Sequence, residues 1–160
     1  MLSYNSLLSG RGSTPRTLLA DTDLFFYYLR GGRLERQAEE VIVGAESGRL
    51  TLRTSSEVYD DAILALRSDD HPLEGIREFL CDMRSIPHSP APMNAQTAAE
   101  AVSLYIEFGG RSRLSYFDSF HVATAKSLGL ALLTSDGYIT RNASRLGVEV
   151  VDLSRWGGRE

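Results

Sequence analysis

Apolar residues in this chain follow two rhythms. Short, mostly apolar runs at residues 17–20, 130–134 and 148–151 have the length and composition of strands enclosed on both faces, and 49–54, with Leu50 and Leu52, reads as a further strand. Between them, apolar positions recur at helical spacing. Helices are predicted over residues 24–30, closed by Gly31-Gly32, and over 34–47, closed by Gly48. Others span 56–67, 94–108 and 115–128, the last two divided by Gly109-Gly110, with a short one near 140–146. Asp70 is expected to cap a further helix that carries Pro72 in its first turn and runs to about Met83. Ile86 and its neighbours suggest a short strand before the proline-punctuated loop 87–92. Strands alternating with helices, and strands apolar throughout, predict an α/β domain: a central parallel sheet, doubly wound, with helices on both faces.

The expected domain spans residues 17–154. Residues 1–16, rich in Ser, Gly and Arg with Pro15 and without a sustained period, read as a mobile tail, and 155–160 as a short C-terminal one. With 160 residues, 42% of them hydrophobic, the chain suits a single core. The lone Cys81 excludes a disulfide framework and a Cys-based zinc cluster, and three scattered histidines argue against a His-rich site. No apolar run approaches membrane-spanning length, and no signal-peptide core is present, so a cytoplasmic protein is expected. The net charge of -4 is unlike a simple nucleic-acid binder, yet the basic residues are sixteen Arg and one Lys, Lys126. Arg is the better bidentate phosphate partner, so charge alone leaves the partner undecided.

The placement of isolated acids changes the picture. Asp21 follows the first strand, Asp118 stands at the mouth of an apolar helix, and Asp136 follows the strand that ends Thr134-Ser135. Each of the three could also cap or turn the chain. The second segment is ambiguous. Thr54-Ser55-Ser56-Glu57 matches a capping box that would occupy Glu57, while Asp61 lies one turn further on the same face, with no cap to make. Asp61 is therefore the preferred acid, Glu57 a substitute or supporting one, and Asp60 a solvated neighbour. Asp23 could take over capping from Asp21, and Thr134 and Ser135 are hydroxyl donors suited to orienting a carboxylate. His121, in an apolar helix, reads as a core histidine bonded to a backbone carbonyl. Acids converging at the carboxyl ends of parallel strands repel one another unless a cation neutralises them, and hard oxygen ligands suit Mg²⁺ or Mn²⁺.

These segments resemble the PIN-domain family of metal-dependent ribonucleases, which includes VapC-type toxins. The resemblance rests on Leu19-Ala20-Asp21-Thr22-Asp23, on Ser55 followed by Asp61, and on Asp118-Ser119-Phe120-His121-Val122-Ala123-Thr124-Ala125 with Gly129, an apolar strand and Thr134-Ser135-Asp136. Asp61 departs from the family's usual Glu. The resemblance implies hydrolysis of RNA phosphodiesters at a Mg²⁺ or Mn²⁺ site held by Asp21, Asp61, Asp118 and Asp136, without a protein nucleophile. It also implies an antitoxin partner and a homodimer, for which the aromatic run Phe25-Phe26-Tyr27-Tyr28 offers surplus surface. Two rivals start from the same residues. One is a haloacid-dehalogenase-type phosphatase with Asp21 as nucleophile and Lys126 beside it; the other is a non-catalytic RNA- or protein-binding module with a degenerate site.

Overall fold

The computed structural model describes residues 16–157; residues 1–15 and 158–160 of the expected tails lie outside them, while Arg16, expected in the N-terminal tail, opens the first strand. Among the described residues, five strands form one parallel sheet: β1 (Arg16–Ala20), β2 (Leu50–Ser55), β3 (Ser89–Ala91), β4 (Ala131–Thr134) and β5 (Val150–Asp152). Their spatial order is β3-β2-β1-β4-β5. Seven helices connect them: α1 (Thr22–Arg30), α2 (Glu35–Glu46), α3 (Val58–Ser68), α4 (Leu73–Ser85), α5 (Ala95–Phe108), α6 (Tyr116–Leu128) and α7 (Gly137–Leu146). This is the expected α/β architecture.

The alternation of side chains along a strand divides the core in two. Leu18 and Ala20 of β1, with Ala131 and Leu133 of β4, join the apolar faces of α1 to α4. Leu19 and Leu132 point the other way, against residues of α5, α6 and α7. Because both faces are covered, Leu18 to Ala20 of β1 and Ala131 to Leu133 of β4 are apolar without a break, and the run in the sequence is continuous rather than alternating. The aromatic run, part of which is expected to meet a partner, packs on this core to differing depths. Phe25 is fully buried, Phe26, Tyr27 and Tyr28 pack on the first core, and the Phe26 and Phe79 rings lie 4.8 Å apart.

Local departures have physical causes. The third strand lies at residues 89–91, inside the segment expected to be a loop, while Ile86 ends α4 as its C-cap. Pro90 lacks an N–H to donate, which an edge strand tolerates, and β3 pairs only with β2. Asp70 does not cap α4, whose N-cap is Pro72 without a side-chain bond. It closes α3 instead, at φ 58, with its N–H donated to the Arg67 carbonyl at 3.0 Å. Asp is among the few residues that adopt this left-handed conformation readily. The capping box at residues 54–57 does not form either. β2 continues through Ser55, paired with Ala91, so α3 starts later and Glu57 itself is the N-cap residue, making no side-chain cap bond. α7 begins at Gly137, earlier than expected, because Asp136 caps it through the Ile139 N–H.

Strand order reverses between β1 and β4, since the chain builds outward through β2 and β3 on one side and through β5 on the other. Ligands of open α/β sheets bind outside the carboxyl ends of the strands at such a point. Leu133, fully buried in β4, should be a sensitive position for the whole assembly. Leu133→Ala is expected to cost about 2–5 kcal/mol in urea unfolding; a loss well under 1 kcal/mol would mean that the strand is not enclosed on this face.

Candidate metal centre

Asp21 is the first residue beyond β1, and its own N–H extends the ladder to the Leu133 carbonyl at 3.0 Å. Its carboxylate is buried and doubly held. Oδ1 accepts from the Thr22 N–H at 2.6 Å, capping α1, and Oδ2 accepts from the Thr134 hydroxyl at 2.6 Å. Thr134 in turn accepts the Asp136 N–H at 3.0 Å, so the ends of β1 and β4 are tied through one hydroxyl. The capping and site readings of Asp21 are thus compatible.

Asp61, on α3, turns toward the same point. Its Oδ2 accepts from the Thr22 hydroxyl at 2.6 Å and lies 3.1 Å from His121 Nε2. Asp118 sits in the first turn of α6, where its N–H is donated to the Ser115 hydroxyl at 3.2 Å. One oxygen each from Asp21, Asp61 and Asp118, with a ring nitrogen of His121, lie within 4.8 Å of one another. Asp136 and Glu57 are not members of this group. Asp136 spends Oδ1 on capping α7, yet it is near enough to oppose ionisation of Asp118.

His121 is fully buried, as its apolar helix suggests, but its partners are not backbone carbonyls. Nδ1 lies 2.7 Å from the Ser55 hydroxyl, and Nε2 faces Asp61, the Thr22 hydroxyl at 3.1 Å and Asp21 at 3.7 Å. Its position one turn after Asp118 is the sequence signal that puts it on the site-facing side of α6. Asp23 lies beside the group. Its Oδ2 accepts from the Ser135 N–H at 2.8 Å and from the Ser135 hydroxyl, while Oδ1 is buried without a partner. Lys126, which a phosphatase would require beside Asp21, pairs instead with Glu100 at 2.6 Å.

The electrostatic consequence is specific. Burial pushes the Asp21 carboxyl well above its usual range, reinforced by Asp23, Asp118 and Asp61 and opposed by the Thr134 hydrogen bond. Burial also raises Asp23 against its Ser135 bonds, and raises Asp118 against His121 and Ser115, with Asp136 and Asp61 adding to the rise. Among the described residues, no Lys or Arg forms an ion pair with Asp21, Asp61 or Asp118. At an effective dielectric constant of about 20, like charges about 4 Å apart repel by roughly 4 kcal/mol. The group therefore stores repulsion that a cation would relieve.

A folded-state pKa above the unfolded value means that the folded chain holds the proton more tightly. The stability this contributes is fully present below the ordinary carboxylate pKa and is lost as pH rises through the raised values. Without added metal, thermal stability should therefore fall across that window, and Asp118→Asn should melt higher than wild type at pH 7. Calorimetric scans at several pH values check both. Equal melting temperatures for variant and wild type at pH 7 would contradict the stored repulsion.

No curated protein matches the chain. Among solved structures, VapBC2 from Rickettsia felis, bound to a DNA fragment from their promoter, is similar with a TM-score of 0.63 at 14% identity, over 85% of this chain and 98% of that one. VapBC-1 from nontypeable Haemophilus influenzae gives 0.57 at 16%, over 86% and 98%. FitAcB from Neisseria gonorrhoeae gives 0.54 at 17%, also over 86% and 98%. At these identities the likeness speaks to fold. The PIN domain model matches residues 18–144, from β1 through most of α7, and so includes every acid described above; the chain belongs to the PIN domain family.

Proposed function

We propose that this chain is a ribonuclease that hydrolyses RNA phosphodiester bonds at a Mg²⁺ or Mn²⁺ site. The observation that carries the reading is the convergence of Asp21, Asp61 and Asp118, from three separate segments, on one point where no Lys or Arg among the described residues pairs with them. The donor set fits a hard divalent cation, because carboxylate oxygens suit such ions and the group's stored repulsion favours one. Such an ion, when bound, supplies the positive charge that activates an attacking water and stabilises the leaving oxygen.

The chain's own part is positioning. The Thr134 hydroxyl and the Thr22 N–H fix both oxygens of Asp21, and the Thr22 hydroxyl holds Asp61. Asp118 is held by the first turn of α6. Asp136 has one oxygen committed to α7 and acts from the edge, through water. Ser135 and Asp23 brace each other at the rim. No side chain serves as nucleophile in this scheme. Arg141, one turn into α7, folds its guanidinium over Gly137 beside Asp136 and is a candidate contact for an RNA phosphate.

The partners belong to the same reading. The similar solved structures include a toxin–antitoxin complex from Klebsiella pneumoniae, which supports an antitoxin as the partner of this chain. A second copy is proposed to meet α5, where Val102, Tyr105 and Ile106 are exposed along one face beside the exposed Tyr116. Among the described residues, no helix is long and apolar enough to cross a membrane.

Purified protein with Mn²⁺ or Mg²⁺ should cleave single-stranded RNA, and EDTA should stop it. Asp118→Asn and Asp61→Asn should each lower the rate by about a hundredfold or more, the scale of a lost electrostatic group in a transition state. Glu57→Gln, outside the group, should retain most activity. Metal-dependent cleavage unchanged in both Asp variants would overturn the assignment, and metal binding without any cleavage would favour a binding module.

A further inference from the structure

The imidazole of His121 has more to offer than a hydrogen bond. Its Nε2 is directed at the point on which the three carboxylates converge, 3.1 Å from Asp61 Oδ2 and 3.7 Å from Asp21 Oδ1. Two ligands bound side by side to one six-coordinate ion at about 2.1 Å lie about 3 Å apart. The spacing thus suits two donors sharing an ion. At the other end of the ring, Nδ1 lies 2.7 Å from the Ser55 hydroxyl at the end of β2. A hydroxyl can accept as well as donate, so Ser55 can take an Nδ1–H and leave Nε2 as a lone pair directed inward. Metal-ligating histidines are held by this kind of bond on their second nitrogen.

Charge gives a second reason. Three carboxylates already bring more negative charge than a divalent ion cancels. A fourth acid would add repulsion in a buried place, whereas a neutral imidazole adds a donor without charge. Asp61 is a short side chain held on the inner side by Thr22, and His121 stands directly beside it.

We infer that His121 is a direct ligand, its Nε2 joining Asp21, Asp61 and Asp118 in a mixed nitrogen–oxygen site that prefers Mn²⁺ to Mg²⁺ more strongly than carboxylates alone would. Imidazole nitrogen suits the transition metals, while Mg²⁺ favours oxygen. The inference rests on the metal site proposed above but not on its reaction.

Pulsed EPR of the full chain loaded with Mn²⁺ tests it directly. Coordinated imidazole should appear as ¹⁴N modulation of the Mn²⁺ signal, and the modulation should vanish in His121→Gln. Interference from the other histidines is not expected. His71 pairs with exposed Arg30, and His88 is engaged by Tyr59 and the Ile86 carbonyl. Competition titrations should show the ratio of Mn²⁺ to Mg²⁺ affinity falling about tenfold in His121→Gln, and by a smaller factor in Ser55→Ala. Bound Mn²⁺ with no nitrogen modulation in the wild type would overturn the inference while leaving metal-dependent cleavage intact. Failure of the wild type to bind Mn²⁺ would overturn both.

Discussion

A carboxylate removed from water at the end of β1 is the constraint around which this structure is arranged. Asp21 cannot stay ionised there without donors, and the donors it uses come from both sides of the sheet's switch point. The Thr22 N–H belongs to the helix that leaves β1, and the Thr134 hydroxyl belongs to β4. Satisfying one acid thereby fixes the junction of the two central strands. Hydrogen bonding relieves only part of the electrostatic cost, because Asp23, Asp118 and Asp61 all press in the opposite direction. The arrangement is stable as a fold and unsatisfied as a charge distribution, the condition expected of a site waiting for a cation.

Much of this was legible in the sequence wherever the cause was local. Asp21 and Asp136 follow apolar runs, and a strand that ends in an acid can be read without knowing what it meets. The continuity of those runs likewise announced a sheet covered on both faces. The roles of Thr54 to Asp61 were harder to separate, because they depend on where β2 stops. Pairing with β3 carries the strand through Ser55, and that extension removes the capping box which seemed to claim Glu57. The strand itself lies in a proline-bearing segment whose edge position no local pattern reveals.

His121 marks the limit of such reading more clearly. Its apolar neighbours along α6 correctly indicate burial, but burial does not name partners. Ser55 is 66 positions away and Asp61 is 60, and only the assembled sheet brings them to the two nitrogens of one ring. The aromatic run on α1 shows the converse. Its density suggested an external surface; Phe25 is enclosed by the core, while Phe26, Tyr27 and Tyr28 pack on that core half-buried.

The bond between Thr134 and Asp21 also spans 113 positions, which has a consequence for how the protein comes into being. A ribosome delivers β1 more than a hundred residues before β4, so the central strand waits with one edge unpaired until β4 arrives. Long-range parallel pairing of this kind is slow to form. Until it forms, Asp118 has not joined Asp21, and the half-made chain carries isolated acids rather than a centre. Whatever chemistry the centre performs begins only once β4 has paired with β1 and the acids from the three segments have met.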